Sequence, residues 1–508
     1  MQSDPDSIAG SSSAGRYHPD DILRQYHPGQ IREAPSPMRP ARIVPLVVAT
    51  ALFMENTDST VIATSLPAIA ADLGEDPIAL KLALTSYLVS LAIFIPVSGW
   101  MADRFGARTV FRLALAVFMG GSLACAAADS LGWFVGARFL QGMGGAMMVP
   151  VGRLVLLRSV PKAELVQALA TLTIPALVGP VIGPPLGGLI TTTLNWRWIF
   201  FINLPIGLAG ILLATRYFAD LREAERPPLD GVGFVLSGAG LASLMLGLAS
   251  GGRHLLPASV SWGCVGAGLA LLALYCGHAR RTAHPLIRLD LMGYPTFRAA
   301  ITGGSLFRIG TGAIPFLLPL MLQLGFGLDP LHSGLLTFAA AAGALFMKTL
   351  AARILRSLGF RTVLTVNAVL AACLLAANGL FTPSTPHALI VAVLLIGGCF
   401  RSLQFTAVNA IAYADVDSRD MSAATSLASV AQQLSLSIGV AFGAFALESA
   451  AQWHGRASVR SEDFWPAFLA VALVSGLSAF AFARLAPTAG AEVSGHRRVT
   501  ARPAADAT

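Results

Sequence analysis

Apolar runs long enough to cross a lipid bilayer recur along the chain from about residue 43 to residue 485. A helix needs about 20 apolar residues to span the hydrocarbon core of a membrane. Charged residues make up only 12% of the 508 residues, whereas a soluble domain carries about 25%. The sequence therefore predicts an all-α membrane protein and argues against a soluble enzyme, a nucleic-acid-binding protein and a disordered chain.

Fourteen transmembrane helices are predicted from these runs, with twelve as the competing count. The fourteen predicted spans are residues 43–71, 82–102, 110–128, 132–156, 165–190, 198–216, 231–250, 260–278, 297–324, 333–350, 362–381, 388–412, 422–446 and 464–485. Two polar segments flank them. Residues 1–42, rich in Pro, Ser and Asp, are predicted to form a disordered cytoplasmic tail. Residues 486–508 are predicted to form a polar cytoplasmic tail.

The basic residues indicate how the chain is oriented in the membrane. If residue 1 is cytoplasmic, the cytoplasmic segments, with residues at the span ends included, hold 26 of the 35 Lys and Arg. The outer loops hold five, which are Lys81, Arg197, Arg253, Arg456 and Arg460. Cytoplasmic loops of membrane proteins are enriched in Lys and Arg. We therefore expect both termini to be cytoplasmic and the number of spans to be even. The expected location is a bacterial inner membrane, which the chain crosses many times.

Two acidic residues interrupt the first predicted span at mid-depth. Glu55 and Asp58 are three residues apart and so share one helical face. A charge at that depth is costly and needs a partner or a wet cavity. Desolvation and a neighbouring like charge both favour the protonated form of a carboxyl. The pair is predicted to bind protons, and a purely structural ion pair with an intramembrane arginine is the alternative.

Four arginines lie within predicted spans and are the expected partners of these acids: Arg138, Arg153, Arg308 and Arg401. Arg138 and Arg401 each open an Arg-x-x-Gln sequence, the second of which ends at Gln404. Arg153 lies close enough to a span end to reach the interface instead. Arg138 is predicted to combine a structural role with proton coupling.

The fifth predicted span carries a repeated Gly-Pro pattern. Its sequence reads Gly179-Pro180-Val-Ile-Gly183-Pro184-Pro-Leu-Gly187-Gly188. Glycine at every fourth position leaves a groove on one helix face, into which a neighbouring helix can pack closely. The prolines remove backbone hydrogen bonds and allow the helix to bend.

Five motifs, taken together, resemble the major facilitator superfamily, in particular its 14-helix drug:proton antiporter branch. The segment after the second span reads Gly99-Trp-Met-Ala-Asp103-Arg104-Phe-Gly106-Ala-Arg108 and is similar to the loop motif of the superfamily. The other four are Asp58 to Pro67, Arg138 to Gly145, Gly179 to Gly188 and Trp196 to Gly207. They follow one another in the order expected between residues 43 and 485. Relatives with an additional acid in the thirteenth span for dicationic substrates are a poor guide, because this chain has only Glu448, at the outer end of that span.

The resemblance implies a specific architecture. Two six-helix bundles, 43–216 and 297–485, would surround a central cavity, and the linker 217–296 would contribute two inserted helices. Gly99, Asp103, Arg104, Gly106 and Arg108 would form a gate on the cytoplasmic side, with topology alone as the alternative role of the arginines. The candidate cavity residues are Phe53, Asn56, Arg308, Gln323, Arg401, Gln404, Asn409 and Gln432.

These features predict a proton-coupled antiporter that exports small lipophilic or cationic compounds, such as drugs and toxins. Neither a catalytic constellation nor a nucleotide-binding loop is recognisable in the sequence, so we expect no enzyme activity, no metal and no cofactor. The expected partners are a small-molecule substrate, protons and the lipid bilayer, with a periplasmic adaptor protein as an open alternative and nucleic acid excluded. An exporter of one specific metabolite, such as a natural product or siderophore, and a non-transporting membrane sensor remain alternatives.

The orientation can be tested by cysteine labelling. Cysteines introduced near Asp76, Arg253 and His454 should react with an impermeant thiol reagent added to intact cells, because those positions lie in outer loops. A cysteine near Arg226 should not react. Labelling near Arg226 in intact cells would contradict the predicted orientation.

Overall fold

A computed structural model describes residues 40–159, 165–219, 228–250, 257–283, 285–417, 420–456 and 459–496. Within them every regular element is helical. The helices are α1 (Pro40–Leu73), α2 (Lys81–Phe105), α3 (Ala107–Ala126), α4 (Leu131–Ser159), α5 (Leu165–Thr193), α6 (Trp198–Phe201), α7 (Asn203–Tyr217), α8 (Gly231–Ser250), α9 (Ala258–Ala279), α10 (Pro295–Gly312), α11 (Ile314–Leu320), α12 (Pro330–Ala377), α13 (His387–Ala412), α14 (Met421–Trp453), α15 (Phe464–Ala483) and α16 (Ala491–Ser494). We refer to α1–α7 as the first half and α10–α15 as the second half.

The all-α prediction is confirmed, and helix is found at the position of each of the fourteen predicted spans. Within the described residues, eleven helices are long and apolar enough to cross a membrane, by length and composition. Helix α12 counts once among these eleven but covers the tenth and eleventh predicted spans, since its backbone breaks at Gly359. The predicted tail 1–42 lies outside the described residues except for its last three, which begin α1.

Two predicted spans are interrupted where the sequence suggested one continuous helix. The sixth begins as α6 and continues as α7 after Ile202. The ninth consists of α10 and α11, followed by a π-helical turn at Met321–Gly325. Pro315 and Pro319 lie in α11, and proline cannot donate the backbone hydrogen bond that would continue a regular helix.

The predicted gate motif is not a loop. Helix α2 continues through Asp103 and Arg104 to Phe105, and α3 begins at Ala107, so that only Gly106 separates the two helices. Gly106 has a φ of 90°, which a residue with a Cβ rarely adopts. Gly359 makes the equivalent break in α12 with a φ of 73°. A single glycine therefore turns the chain between two helices in each half.

Many large apolar side chains point away from the protein interior. Leu212, Leu473 and Phe480 are each more than 60% exposed, and Trp262 is 72% exposed. Exposed apolar surface on this scale is not compatible with water on all sides. It is the surface expected of helices that contact lipid tails.

The two halves are joined at the end of the molecule that the charge distribution assigns to the outside. Lys81, the first residue of α2, donates from Nζ to Oε1 of Glu448 on α14 at 3.0 Å. Both side chains are at most 3% exposed. The assignment of Lys81 to an outer loop was therefore wrong, because this residue begins a helix and is enclosed between the halves.

Close helix contacts are made through glycine. Gly343 on α12 lies against the carbonyl of Leu395, and Gly398 on α13 lies against the carbonyl of Ala340. A Cβ at either glycine would overlap the facing backbone oxygen. Because lipid tails are as apolar as leucine, membrane helices gain stability from this kind of close packing rather than from a hydrophobic drive.

Adjacent glycines of α13 allow this contact to be tested. Gly398→Ala should lower the melting temperature of the purified protein in detergent, since overpacking costs about 1–3 kcal/mol. Gly397→Ala is the matched control. A Cβ there would meet its nearest atom, Cβ of Leu374, at 3.9 Å, so its melting temperature should be unchanged or slightly higher. Equal melting temperatures for the two variants would contradict the packing argument.

Candidate functional site

A buried ion pair between α1 and α4 is the centre of the candidate site. Arg138 donates from Nη1 to Oδ2 of Asp58 at 2.7 Å. Arg138 is 1% exposed and Asp58 is 5% exposed. Asp58 lies about midway along α1, as its sequence position predicted. Two charges removed from water in this way are tolerated only when their remaining polar atoms are also satisfied.

Neutral side chains of α3, α4 and α7 complete the surroundings of the Asp58 carboxylate. Oδ1 of Asp58 accepts from Nε2 of Gln141 at 2.8 Å and from Nδ2 of Asn203 at 2.9 Å. Both amides also donate to Oγ of Ser122, at 2.8 Å and 3.1 Å. Oε1 of Gln141 in turn accepts from Arg138 at 2.5 Å. Asp58 therefore has three donors, and the network ties α1, α3, α4 and α7 together.

Arg138 retains donors that this arrangement does not use. Its guanidinium carbon lies 4.4 Å from the ring centre of Tyr87 on α2, a cation–π contact. Its Nε and the hydroxyl of Tyr87 are buried and have no hydrogen-bond partner within the described residues. The guanidinium can therefore form other hydrogen bonds if its bond to Asp58 is broken.

Glu55 lies outside this network. It is half-buried, and no side-chain hydrogen bond to it is found within the described residues. Its carboxyl is within electrostatic range of Asp58 and of Arg153 on α4, whose side chain is exposed. The structure therefore brings Asp58 and Arg138 into contact and leaves Glu55 as a neighbouring, more accessible acid.

The predicted gate residues lie around the junction of α2 and α3. Gly106 is buried, Asp103 and Arg108 are half-buried, and Gly99 and Arg104 are exposed. The guanidinium carbon of Arg104 is 5.6 Å from the ring centre of Trp100. These groups are thus carried by the adjoining ends of two helices.

The glycines of α5 form the close contacts that their spacing predicted. Gly179, Gly183 and Gly187 face residues 56–64 of α1, and a Cβ at Gly183 or Gly187 would overlap atoms of that helix. Gly188 faces the first residues of α12 instead. Helix α5 therefore contacts the first half on one face and the second half on another.

A cavity of about 180 Å³ lies between α1 and α5 of the first half and α11, α12 and α13 of the second half. Its lining is mainly apolar and includes Pro180 and Pro184 of the predicted antiporter helix. Four of its lining residues are polar: Thr60, Thr64, Thr337 and Arg401. The cavity is thus predominantly apolar, and the one charged side chain among its described lining residues is a cation.

The other predicted cavity residues of the second half serve mainly to connect helices. Gln404 is fully buried, where it accepts from Asn367 at 2.7 Å and donates to the carbonyl of Leu364 at 3.0 Å. Arg308 donates to Oδ1 of Asn409 at 2.8 Å. Enclosure between helices thus separates Gln404 from the cavity that Arg401 lines, although the two residues belong to one Arg-x-x-Gln sequence.

The four remaining candidates are also absent from the lining of this cavity. Gln323 donates from Nε2 to the carbonyl of Thr64 at 2.9 Å and so links the halves. Asn56 donates to the carbonyl of Leu52 in its own helix at 2.8 Å. Phe53 and Gln432 are half-buried.

Four residues of the central network have no role predicted from the sequence: Ser122, Gln141, Asn203 and Tyr87. A signal existed for Gln141, because it follows Arg138 by three residues and so shares its helix face. Asn203 lay within a recognised motif but more than 140 residues from Asp58. Nothing in the sequence marks Ser122 or Tyr87. Within the described residues, no group of three His, Cys, Asp or Glu is placed to hold a metal ion.

Comparison with known proteins identifies the family. A model of the Major Facilitator Superfamily matches residues 48–440 and 300–505. The chain is 35% identical over 466 residues to "Putative multidrug resistance protein MdtD" of Serratia proteamaculans, covering 91% of this chain and 96% of that protein. It is 37% identical over 459 residues to the protein of the same name in Klebsiella pneumoniae, covering 89% and 96%. The chain therefore belongs to the major facilitator superfamily.

Solved structures share the fold at low sequence identity. The peptide transporter PepTSo, of the POT family, superposes with a TM-score of 0.64 at 14% identity, over 89% of this chain and 98% of that chain. A D-xylose-proton symporter superposes with a TM-score of 0.62 at 14% identity, over 88% and 99%. The all-α membrane fold predicted from the sequence is thus the fold of known transporters.

Removing the buried cation should damage the protein more than removing an exposed one. Arg138→Ala should cost about 3–5 kcal/mol, because it leaves Asp58 buried without its countercharge. Arg138→Lys should restore only part of the loss, since an ammonium cannot reproduce the bonds of the guanidinium. Arg153→Ala, on the exposed side of the same helix, is the control. If Arg138→Ala has the melting temperature and the export rate of the wild type, Arg138 has neither a structural nor a coupling role.

Proposed function

We propose that this protein is a multi-pass transporter of the bacterial inner membrane that exports small lipophilic compounds of several kinds in exchange for protons. Membership of the superfamily supports transport, and the name of the MdtD relatives, multidrug resistance protein, supports multidrug efflux. The observation that carries proton coupling is Asp58, an acid buried at mid-span and bonded to Arg138. Coupling by a proton requires a group in the membrane that can gain and lose it.

Two bundles, 43–216 and 297–485, with the inserted pair in 217–296, would rock against each other around the central cavity. Support comes from contacts between the halves at the predicted outer end. These are the Lys81–Glu448 ion pair and the approach of Gly188 to α12. With the predicted orientation, such contacts would keep the outer side closed, so this conformation is the one that would load substrate from the cytoplasm.

Protonation of Asp58 would release Arg138. A neutral carboxyl attracts the guanidinium less strongly, and the unused donors of Arg138 and the hydroxyl of Tyr87 are close by. Because α1, α3, α4 and α7 share the network, a change at Asp58 acts on four helices together. Glu55, which is more accessible, would deliver the proton or tune its binding.

The two α2–α3 helix ends would form the cytoplasmic gate. Asp103, Arg104 and Arg108 lie within a few residues of the Gly106 turn, and Gly99 leaves the side of α2 without a side chain. Contacts at helix ends can be broken and remade as rigid bodies when the halves rotate. With both termini cytoplasmic, this gate would be on the inner side.

The cavity favours one of the two expected substrate classes. Both lipophilic and cationic compounds are predicted from the sequence as substrates. The lining is mainly apolar, and it includes Arg401 but no carboxylate. An apolar site with few polar groups fits lipophilic molecules, whereas a cation would be repelled by the guanidinium. We therefore place lipophilic compounds first.

The coupling role of Asp58 can be tested in everted membrane vesicles with a pH-sensitive dye. Substrate added to energised vesicles should release protons from the lumen in the wild type. Asp58→Asn should abolish this release, because a neutral amide mimics the protonated acid. Since the variant leaves Arg138 without its countercharge, its melting temperature is measured to show that it still folds. Asp72→Asn is the matched control. It lies on the same helix, and its carboxylate pairs with Arg197 at the surface.

Comparison of Asp58→Asn with Glu55→Gln distinguishes the roles of the two acids. Glu55→Gln should shift the pH optimum of transport rather than abolish it. Proton release by Asp58→Asn at the wild-type rate would exclude Asp58 as the coupling site. If Glu55→Gln alone loses proton release, the roles of the two acids are exchanged.

A further inference from the structure

Arg401 is a cation in the middle of a membrane helix without an acidic partner. It lies near the centre of α13, is half-buried, and lines the cavity between the halves. No hydrogen bond or ion pair joins it to another side chain within the described residues. A charge at this depth is stabilised by a partner or by a wet cavity. Because its partner is not supplied by the described protein residues, the cavity is where one would bind.

The contrast with Arg138 is informative. Both arginines open an Arg-x-x-Gln sequence. In the first half, Arg138 pairs with Asp58, and Gln141 supports that pair. In the second half, Gln404 bonds to Asn367 instead, and no carboxylate among the described residues pairs with Arg401. The second half thus carries Arg401 in the same sequence pattern, but without a carboxylate in the place that Asp58 takes in the first half.

Helices α12 and α13 contain no acid of their own that could pair with Arg401. Residues 330–414, which include α12 and α13, contain no Asp or Glu but five Lys or Arg. Among the cations nearest the membrane centre in this half, Arg308 bonds to Asn409 and Lys348 to Thr406, both neutral. Helices α12 and α13 therefore carry positive charge that no acidic residue of their own compensates.

We propose that Arg401 binds a negatively charged group of the substrate, so that the transported compounds are small amphiphilic organic anions, most simply carboxylates with an apolar body. This inference rests on the proposed export function and narrows its substrate class. The guanidinium offers a planar pair of donors that matches a carboxylate. The hydroxyls of Thr60, Thr64 and Thr337 are further polar groups of the cavity, and its apolar remainder would hold the hydrocarbon part.

Export of an anion changes the charge balance of the transport cycle. One proton moving inward while one monovalent anion moves outward transfers two positive charges inward. Exchange of one proton for one monovalent cation transfers none. Transport of such an anion is therefore driven by the membrane potential, whereas one-for-one cation exchange is not.

Binding of two matched probes to the purified protein in lipid nanodiscs tests the proposal without a proton gradient. The probes are 2-naphthoate and 2-naphthyltrimethylammonium, which share an aromatic body and differ in charge. We expect the wild type to prefer 2-naphthoate. Arg401→Gln should weaken 2-naphthoate binding about tenfold or more, since a hydrogen bond to a charged group is lost, and should not weaken binding of the cation. Arg401→Lys should restore part of the affinity.

Arg353→Gln is the control, because Arg353 lies on α12 with an exposed side chain and is not part of the cavity lining. The melting temperature of each variant shows whether it is folded. The proposal is overturned if the wild type prefers the cation, if it binds neither probe, or if Arg401→Gln binds 2-naphthoate as the wild type does. If the Arg401-dependent preference is observed but vesicles show no proton release, the anion site stands and proton antiport fails. If a cationic drug causes proton release but 2-naphthoate does not bind, proton antiport stands and the anion site fails.

Discussion

The buried Asp58–Arg138 pair is the interaction on which the arrangement of the first half depends. Two charges have been taken out of water, and their attraction is supported by Gln141 and Asn203, which donate to Asp58 and are held in turn by Ser122. With Asp58 itself, these side chains come from four different helices. The helices cannot separate without exposing an unsatisfied charge, so a change in the proton content of Asp58 cannot remain local.

Glycine determines how the helices around this pair fit together. In a membrane, close approach of helix backbones replaces much of the hydrophobic drive that packs soluble proteins. Helix α5 uses two different faces in this way, with Gly183 and Gly187 against α1 and Gly188 against α12. The helix that packs closely within the first half therefore also contacts the second half. Gly106 and Gly359, with positive φ, let the helix pairs turn within a single residue.

Local properties of the sequence predicted the fold well, and long-range contacts explain what it missed. Apolar runs placed a helix at every predicted span, because length and hydropathy suffice to identify a membrane helix. The two mid-span acids could be found for the same reason, since a charge there stands out. The partnership of Asp58 with Asn203 could not, because it depends on how α1 and α7 meet. Lys81 was misplaced because its partner, Glu448, lies 367 residues away, and a lone lysine near a span end is typical of a loop.

The two halves differ most in how they compensate an arginine. Arg138 pairs with a protein carboxylate, whereas Arg401 lines a cavity in which none of the described lining residues supplies one. A proton and an anionic substrate would then act on equivalent cations in opposite halves, each favouring a different conformation. Coupling between two ligands requires only that each bind one conformation better than the other. The proton and the substrate therefore need not compete for one group, and a carrier with an adaptable, apolar cavity can keep a fixed proton site while it accepts substrates of different shapes.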